Sequence, residues 1–182
     1  AELEIARDHL DAGDDVKIFQ CQATLPGCFF NSGQVSERCF RCQSRAHEGF
    51  RLAEIPPETI APLQWYPRAD EVRVPRFDDH DELRAYEFLG VDVGLAAMSS
   101  VVSSVRDHRF CLQTHRETTE RHLRIAINAC LAAHDIYERH EPDIVYAFNG
   151  RFAEHRPLIR VAEQLDIDFI CHERGANNSK FS

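Results

Sequence analysis

The sequence predicts an α/β domain built on a parallel sheet with flanking helices. Residues 143–148 and 167–171 are two apolar runs of strand length, and the amphipathic segment 157–165 between them is a predicted helix. A strand–helix–strand unit of about 30 residues implies parallel strands joined by a crossover. Both runs are almost continuously apolar, which is typical of a sheet covered on two faces. We therefore expect a Rossmann-like sheet.

The length suits one domain. The chain has 182 residues, of which 43% are hydrophobic and 28% charged, enough to bury a core. We expect a single Rossmann-like domain over residues 1–182, with a cysteine-rich subregion at 21–48.

The amino-terminal half is predicted to contain a helix and several strands. Apolar residues recur at helical spacing from the start of the chain up to Gly13, a residue suited to end a helix. Residues 14–21 and 49–55 are predicted strands. The proline-punctuated stretch 56–75 is expected to form edge structure, because its last residues alternate between valine and polar side chains.

Three helices are predicted in the middle of the chain. Residues 78–90 carry carboxylates ahead of a helical start, where the helix dipole favours them. Residues 91–107 are apolar with interspersed serines and are expected to be mostly helical. Residues 114–140 are the clearest predicted helix, because Leu123, Ile127, Leu131, His134 and Ile136 or Tyr137 keep one helical face, and Pro142 prevents the helix from continuing.

Charge and hydropathy restrict the function. The formal net charge of −9 argues against a general nucleic-acid binder, which would need a basic surface. There is no apolar run of about 18 residues and no recognisable signal peptide, so we expect a cytoplasmic protein. The chain opens on a helix without a preceding strand and stops in a loop. We therefore expect it to be a fragment of a two-domain protein.

Polar residues follow both strands of the predicted strand–helix–strand unit. Ligands of parallel α/β sheets bind at the carboxyl ends of the strands, where neighbouring strands bring their last residues together. Arginine suits phosphate or carboxylate oxygens, while amide and carboxylate groups suit hydroxyls. The candidate ligand-binding residues are Asn149, Gly150, Arg151, Arg156, Arg174 and Gly175, and the candidate catalytic residues are His172 and Glu173.

Each candidate also has a structural explanation. Asn149 and Gly150 form a common turn pair, and Arg151 can pair with Glu154 on the surface. Two polar clusters on adjacent parallel strands nevertheless favour a ligand site. Either His172 or Glu173 is expected to act as a general base, and histidine has the better intrinsic pKa.

The start of helix 157–165 is expected to contribute to the same site. Arg156 and His155 stand there, and both are expected to add positive potential to that of the helix amino terminus.

Four of the seven cysteines lie within 22 residues. Cys21, Cys28, Cys39 and Cys42 can close a tetrahedral structural zinc site, and the last two form a CxxC pair. An iron–sulfur cluster, free thiols and disulfides remain alternatives. The remaining cysteines are expected to be small core residues: Cys111, Cys130 and Cys171.

Four segments of the chain together resemble a known family: "ELEIARDHLDAGDDVKIFQC", "LPGC", "YAFNGRFAEHRP" and "HERG". They are similar to the amino-terminal region of bacterial capsule- and lipopolysaccharide-biosynthesis glycosyltransferase-like proteins. The resemblance spans most of the chain and implies the two-domain GT-B architecture. It implies sugar transfer from a nucleotide-sugar donor to a surface-glycan or lipid-linked acceptor, usually without a catalytic metal.

In that architecture the amino-terminal domain holds the acceptor and can supply the base, while a carboxyl-terminal domain binds most of the nucleotide sugar. The resemblance therefore implies that this chain alone does not catalyse transfer. A lipid-linked acceptor would be compatible with peripheral membrane association. Two other functions stay open: a non-catalytic, zinc-stabilised binding module and a sugar-nucleotide epimerase-like enzyme.

Overall fold

A computed structural model describes residues 2–31 and 33–173. This part of the chain has a mixed α/β fold, which confirms the predicted class at that level. Its elements in chain order are α1 (Glu2–Ala12), β1 (Ile18–Cys21), α2 (Ser36–Leu52), a 3₁₀ turn (Pro57–Thr59), β2 (Ile60–Leu63), α3 (Arg68–Glu71), α4 (His80–Ala85), α5 (Val93–Val105), α6 (Arg116–His140), β3 (Ile144–Phe148), α7 (Arg156–Gln164) and β4 (Asp168–His172).

The strands form two separate parallel pairs. β1 pairs with β2 and β3 pairs with β4, so the described strands make two small sheets and not one larger sheet. The contacts divide the described residues into two compact units. The first contains residues 2–25 and 33–64, and the second contains residues 26–31 and 65–173. The expectation of one domain over 1–182 stays a prediction.

The first unit packs α1 and α2 around a small apolar core. Ala6, Phe50 and Ile55 are buried at its centre. The predicted end of α1 is confirmed, since Gly13 follows the helix with a φ of +90°. The predicted strand over 49–55 is wrong, because this segment begins as the last turn of α2. Its helical conformation places Phe50 in the core.

Edge structure was expected over residues 56–75, and a strand, β2, lies within that stretch at Ile60–Leu63. The alternating valines Val72 and Val74, which suggested the expectation, are not part of this strand. There, Ile60 to Leu63 pair with β1 in parallel register. Val72 instead follows α3 with extended dihedral angles.

The second unit is centred on α6. This 25-residue helix buries thirteen side chains and packs against α3, α5 and α7. The predicted helices over 78–90, 91–107 and 114–140 are confirmed as α4, α5 and α6, each with narrower bounds. The carboxylate of Asp79 caps α4 by accepting hydrogen bonds from two backbone N–H groups of its first turn, at 2.8 and 2.9 Å.

The strand–helix–strand unit at residues 144–172 is confirmed. β3 and β4 pair in parallel register from Ile144 opposite Asp168 to Phe148 opposite His172. The expected burial of both strand faces is wrong for β4, because Ile170 and Cys171 are exposed. Within the described residues, no helix combines the length and apolar character that crossing a bilayer requires.

Candidate functional site

The two polar clusters meet at the carboxyl ends of β3 and β4. Because Phe148 pairs with His172, the residues that follow them lie side by side. The side-chain amide of Asn149 donates a hydrogen bond of 2.6 Å to the carboxylate of Glu173. The predicted proximity of these two residues is therefore present in the structure.

A strained turn ends β3. The N–H of Asn149 donates to the carbonyl of His172 at 2.8 Å, and the N–H of Gly150 donates to the carbonyl of Phe148 at 2.6 Å. The second bond closes a γ-turn around Asn149, whose φ is +61°. Few residues other than glycine adopt such a φ, and strained backbone of this kind is enriched at functional sites.

Gly150 is required in this turn for two reasons. Its φ is +66°, which disfavours a side chain. A Cβ at this position would also lie 2.5 Å from Cδ1 of Ile159 and 2.8 Å from Sγ of Cys171. Gly150 therefore allows α7 and β4 to approach the turn closely. Its role in the site is to shape the backbone.

Arg151 is exposed beyond the turn. The guanidinium carbon of Arg151 lies 4.5 Å from the ring centroid of Phe152, at the distance of a cation–π contact. The alternative surface pair of Arg151 with Glu154 is wrong. Glu154 is buried, and its carboxylate accepts a hydrogen bond from the backbone N–H of Phe29.

Asn149 offers a further polar atom. While its amide nitrogen donates to Glu173, its Oδ1 is buried and has no hydrogen-bond partner among the described residues. Burying a carbonyl oxygen without a hydrogen-bond partner lowers the stability of the fold by roughly 1–3 kcal/mol, because the oxygen loses its hydration. A ligand could not reach this buried oxygen, so the acceptor that the strand ends present to hydroxyl groups is the exposed carboxylate of Glu173.

Two histidines pack against the Phe148 ring. The ring centroid of Phe148 is 5.9 Å from that of His172 and 6.1 Å from that of His155, in edge-on arrangements. Burial, and secondarily the nearby His172, lowers the pKa of His155 to about 4. His155 is therefore neutral at pH 7, and the expectation that it adds positive potential is wrong.

Arg156 is engaged in an ion pair. Its Nε and a terminal nitrogen donate to the two carboxylate oxygens of Asp92 at 2.9 and 2.6 Å. The Nε of Arg160 lies 3.7 Å from the same carboxylate. This pairing anchors the start of α7 to the residue before α5. The charge of Arg156 is thus largely balanced by Asp92.

Of the remaining candidate residues at the strand ends, the structure describes His172 and Glu173. His172 is buried at the last position of β4, and Glu173 is exposed immediately after it. The assignment of either residue as a general base stays a prediction. Arg174 and Gly175 lie outside the described residues.

The four clustered cysteines are divided between elements. Cys21 ends β1, while Cys39 and Cys42 lie one turn apart on α2, so the CxxC pair is helical. Cys28 belongs to the second unit, unlike the other three. Across residues 2–31 and 33–173, no group of three or more His, Cys, Asp or Glu side chains could hold a metal ion. The zinc site stays a prediction.

The other three cysteines differ from one another. Cys130 is buried, and burial raises the pKa of its thiol to about 12, as expected of a core residue. Cys111 and Cys171 are exposed, so their assignment to the core is wrong. Hydrogen bonds from the side chain and backbone of Thr114, and from the backbone of Gln113, lower the pKa of the Cys111 thiol.

Sequence reasoning missed three residues around this site. Glu154 was assigned to the surface, and Phe29 was assigned no role. They are 125 positions apart, so no local pattern connects them. Asp92 directly precedes an apolar helical stretch, which is a signal for a helix start, but nothing in that pattern indicates the pairing with Arg156.

We compared the chain with known protein families, curated proteins and solved structures. The chain matches no protein-family model, no curated protein and no solved structure.

Proposed function

We propose that this chain is the acceptor-side domain of a GT-B-type glycosyltransferase that transfers a sugar from a nucleotide-sugar donor to a surface-glycan acceptor. The observation that carries the proposal is the hydrogen bond between Asn149 and Glu173 at the carboxyl ends of β3 and β4. It joins an amide and a carboxylate where parallel α/β proteins bind their ligands.

The groups at this edge suit a polyhydroxylated ligand. Sugars present hydroxyls that both donate and accept hydrogen bonds. The exposed carboxylate of Glu173, held by the side-chain amide of Asn149, accepts such bonds, while the exposed guanidinium of Arg151 donates them. Such convergent polar groups supply orientation and specificity in small-molecule sites.

The local charge favours the acceptor over the nucleotide diphosphate. Arg151 and Glu173 carry opposite charges, His155 is neutral, and Arg156 is paired with Asp92. A diphosphate would be expected to select a cluster of unpaired cations. Among the described residues, this edge is close to electrically balanced, which suits a neutral glycan.

The proposed Rossmann-like architecture is supported by the β3–α7–β4 unit. Parallel strands with a crossover helix are the repeating element of doubly wound sheets. In this proposal β3 and β4 belong to such a sheet, and Glu173 or His172 activates the acceptor hydroxyl as a general base.

The binding test uses the 182-residue chain itself. An array of capsule and lipopolysaccharide oligosaccharides is screened, and each bound glycan is then titrated in solution. We expect at least one oligosaccharide to bind, and Arg151→Ala and Asn149→Ala each to weaken that binding by about tenfold, as for the loss of a buried or charge-assisted hydrogen bond.

The matched control is Arg41→Ala. Arg41 is an exposed arginine on α2, paired with Glu37 in an i,i+4 surface bridge, and its loss should leave binding unchanged. UDP-glucose is titrated in parallel as a nucleotide-sugar probe. The proposal is overturned if no oligosaccharide binds, if Arg151→Ala binds like the wild type, or if UDP-glucose binds more tightly than every glycan.

A further inference from the structure

A short loop docks beside the candidate site. We call residues 26–31 the Cys28 loop. A pair of backbone hydrogen bonds between Cys28 and Asn31, at 3.0 and 3.4 Å, closes it into a tight turn. The ring of Phe29 stacks on that of Phe152, with centroids 4.2 Å apart and planes 12° apart. These contacts place the loop against the segment that follows β3.

The second docking contact is a hydrogen bond to a buried carboxyl group. The backbone N–H of Phe29 donates to Oε1 of Glu154, which is only 8% exposed. The other oxygen of Glu154 is buried without a hydrogen-bond partner among the described residues. Burial accordingly raises the pKa of Glu154, although the Phe29 N–H acts in the opposite direction.

The unsatisfied oxygen makes the docked state costly. A buried carboxyl group with one unpaired oxygen has lost hydration that no hydrogen bond replaces among the described residues. The aromatic stack and the Phe29 hydrogen bond offset this cost. The balance between these opposing contributions favours a loop that can release without unfolding the unit.

The docked loop is connected to the site through one ring. Phe152, which is 1% exposed, receives Phe29 as a stacking partner and also carries the guanidinium of Arg151 at 4.5 Å. A change in the position of the Phe152 ring therefore alters the support of Arg151.

We propose that the Cys28 loop is a conformational latch: docked, it fixes Phe152 and holds Arg151 in position at the strand ends, and released, it hydrates Glu154 and frees Arg151. The latch concerns the geometry of this chain. Its consequence, that the docked loop favours glycan binding, rests on the proposed function.

The latch is tested first without any ligand. Amide hydrogen exchange of residues 27–31 is measured by NMR, together with the Nε–Hε resonance of Arg151. In Phe29→Ala and Glu154→Ala we expect exchange of the loop amides to accelerate by about tenfold, the effect of losing one docking contact. Glu154→Gln keeps a side-chain carbonyl acceptor and should retain exchange within about threefold of the wild type. The Arg151 resonance should shift in Phe29→Ala.

Phe40→Ala is the matched control. It removes a phenyl group that is 69% exposed on α2, and it should leave both the loop amides and the Arg151 resonance unchanged. Equal exchange in Phe29→Ala and Phe40→Ala would overturn the latch. The latch would also be overturned if the Arg151 resonance had the same position in Phe29→Ala as in the wild type. If Glu154→Ala does not fold, Phe29→Ala and Glu154→Gln decide the question.

The two proposals fail separately. Absence of glycan binding by the wild-type chain contradicts the proposed function and leaves the ligand-free measurements of the latch intact. Glycan binding that is equally tight in Phe29→Ala and the wild type overturns the regulatory role of the latch. In that case the acceptor-side assignment still stands on the Arg151→Ala result.

Discussion

Arg156 and Asp92 form a two-pronged ion pair across 64 residues of sequence, with nitrogen–oxygen distances of 2.9 and 2.6 Å. The side chains are 26% and 21% exposed, so water screens the pair less than a surface bridge. The side chain of Asp92 makes no capping hydrogen bond to α5, and its carboxylate instead pairs with Arg156 and Arg160. The pair ties the start of the crossover helix α7 to the start of α5.

Asp92→Ala should therefore lower the free energy of unfolding by about 2 kcal/mol, because it leaves a partly buried guanidinium without its partner. The single tryptophan, Trp65, lies in the second unit, so its fluorescence during urea titration reports on that unit. Glu117→Ala removes an exposed partner of Arg121 on α6 and is the control. In this control the free energy of unfolding should fall by less than about 1 kcal/mol. Equal costs for both variants would contradict the importance of the pair.

Gly150→Ala should destabilise the second unit by about 2–4 kcal/mol. It combines a disfavoured φ with crowding against Ile159 and Cys171. Gly90→Ala separates the two causes, since Gly90 also has a positive φ of +74° but its added Cβ would meet only the amide nitrogen at the end of the Gln164 side chain, at 2.9 Å. We expect that control to cost only about 1–2 kcal/mol. Urea titration of both variants, followed by Trp65 fluorescence, measures the difference. A smaller loss at Gly150 than at Gly90 would refute the close approach at the turn.

His122 should make the protein sensitive to acid. It is fully buried on α6, neither ring nitrogen has a partner among the described residues, and burial lowers its pKa from 6.5 to about 4. Between these two pKa values the unfolded chain binds a proton that the folded chain excludes. The contribution of His122 therefore lowers the free energy of unfolding as the pH falls through this window, by about 2 kcal/mol between pH 7 and 5.

The variant His122→Leu tests this contribution. It removes the titrating ring, so the loss of unfolding free energy between pH 7 and pH 5 should shrink by about the same 2 kcal/mol. His108→Leu, at an exposed histidine outside the core, is the control. Urea titrations at the two pH values provide the comparison. Parallel pH profiles for the wild type and His122→Leu would show that this imidazole is not responsible.

Zinc binding is tested by elemental analysis of protein purified without added metal. The four clustered cysteines predict about one zinc per chain. Replacing both Cys39 and Cys42 by serine should abolish the zinc content, whereas Cys111→Ser, at an exposed cysteine elsewhere in the sequence, should retain it. A content below about half an equivalent in the wild type would reject the structural zinc site.

The strand–helix–strand unit was predictable because its pattern is local. Each element of residues 144–172 has its own apolar period and a polar boundary, and the crossover rule then fixes parallel pairing. From this pairing the proximity of Asn149 and Glu173 follows directly. α2 was harder, since Val35 at its start provides no side-chain cap, and Gly49 lies within it. Packing of Phe50 with Ala6 and Ile55 overrides these weak local signals.

The parts of the site that were missed depend on distant contacts. Glu154 is buried and bonded to the Cys28 loop, and the neutrality of His155 results from burial beside Phe148 and His172. Neither environment is encoded in the residues next to them. A pKa follows from three-dimensional surroundings, so a sequence supplies only the reference value.

The γ-turn around Asn149 also determines which chemical groups a bound molecule would meet. The N–H groups of Asn149 and Gly150 are both donated within the protein, to His172 and Phe148. Phosphate-binding loops work differently, because their backbone N–H groups point at the ligand. Here recognition would fall to side chains held on a fixed backbone. A change of ligand preference during evolution would then require only single substitutions at the rim, with the loop conformation preserved.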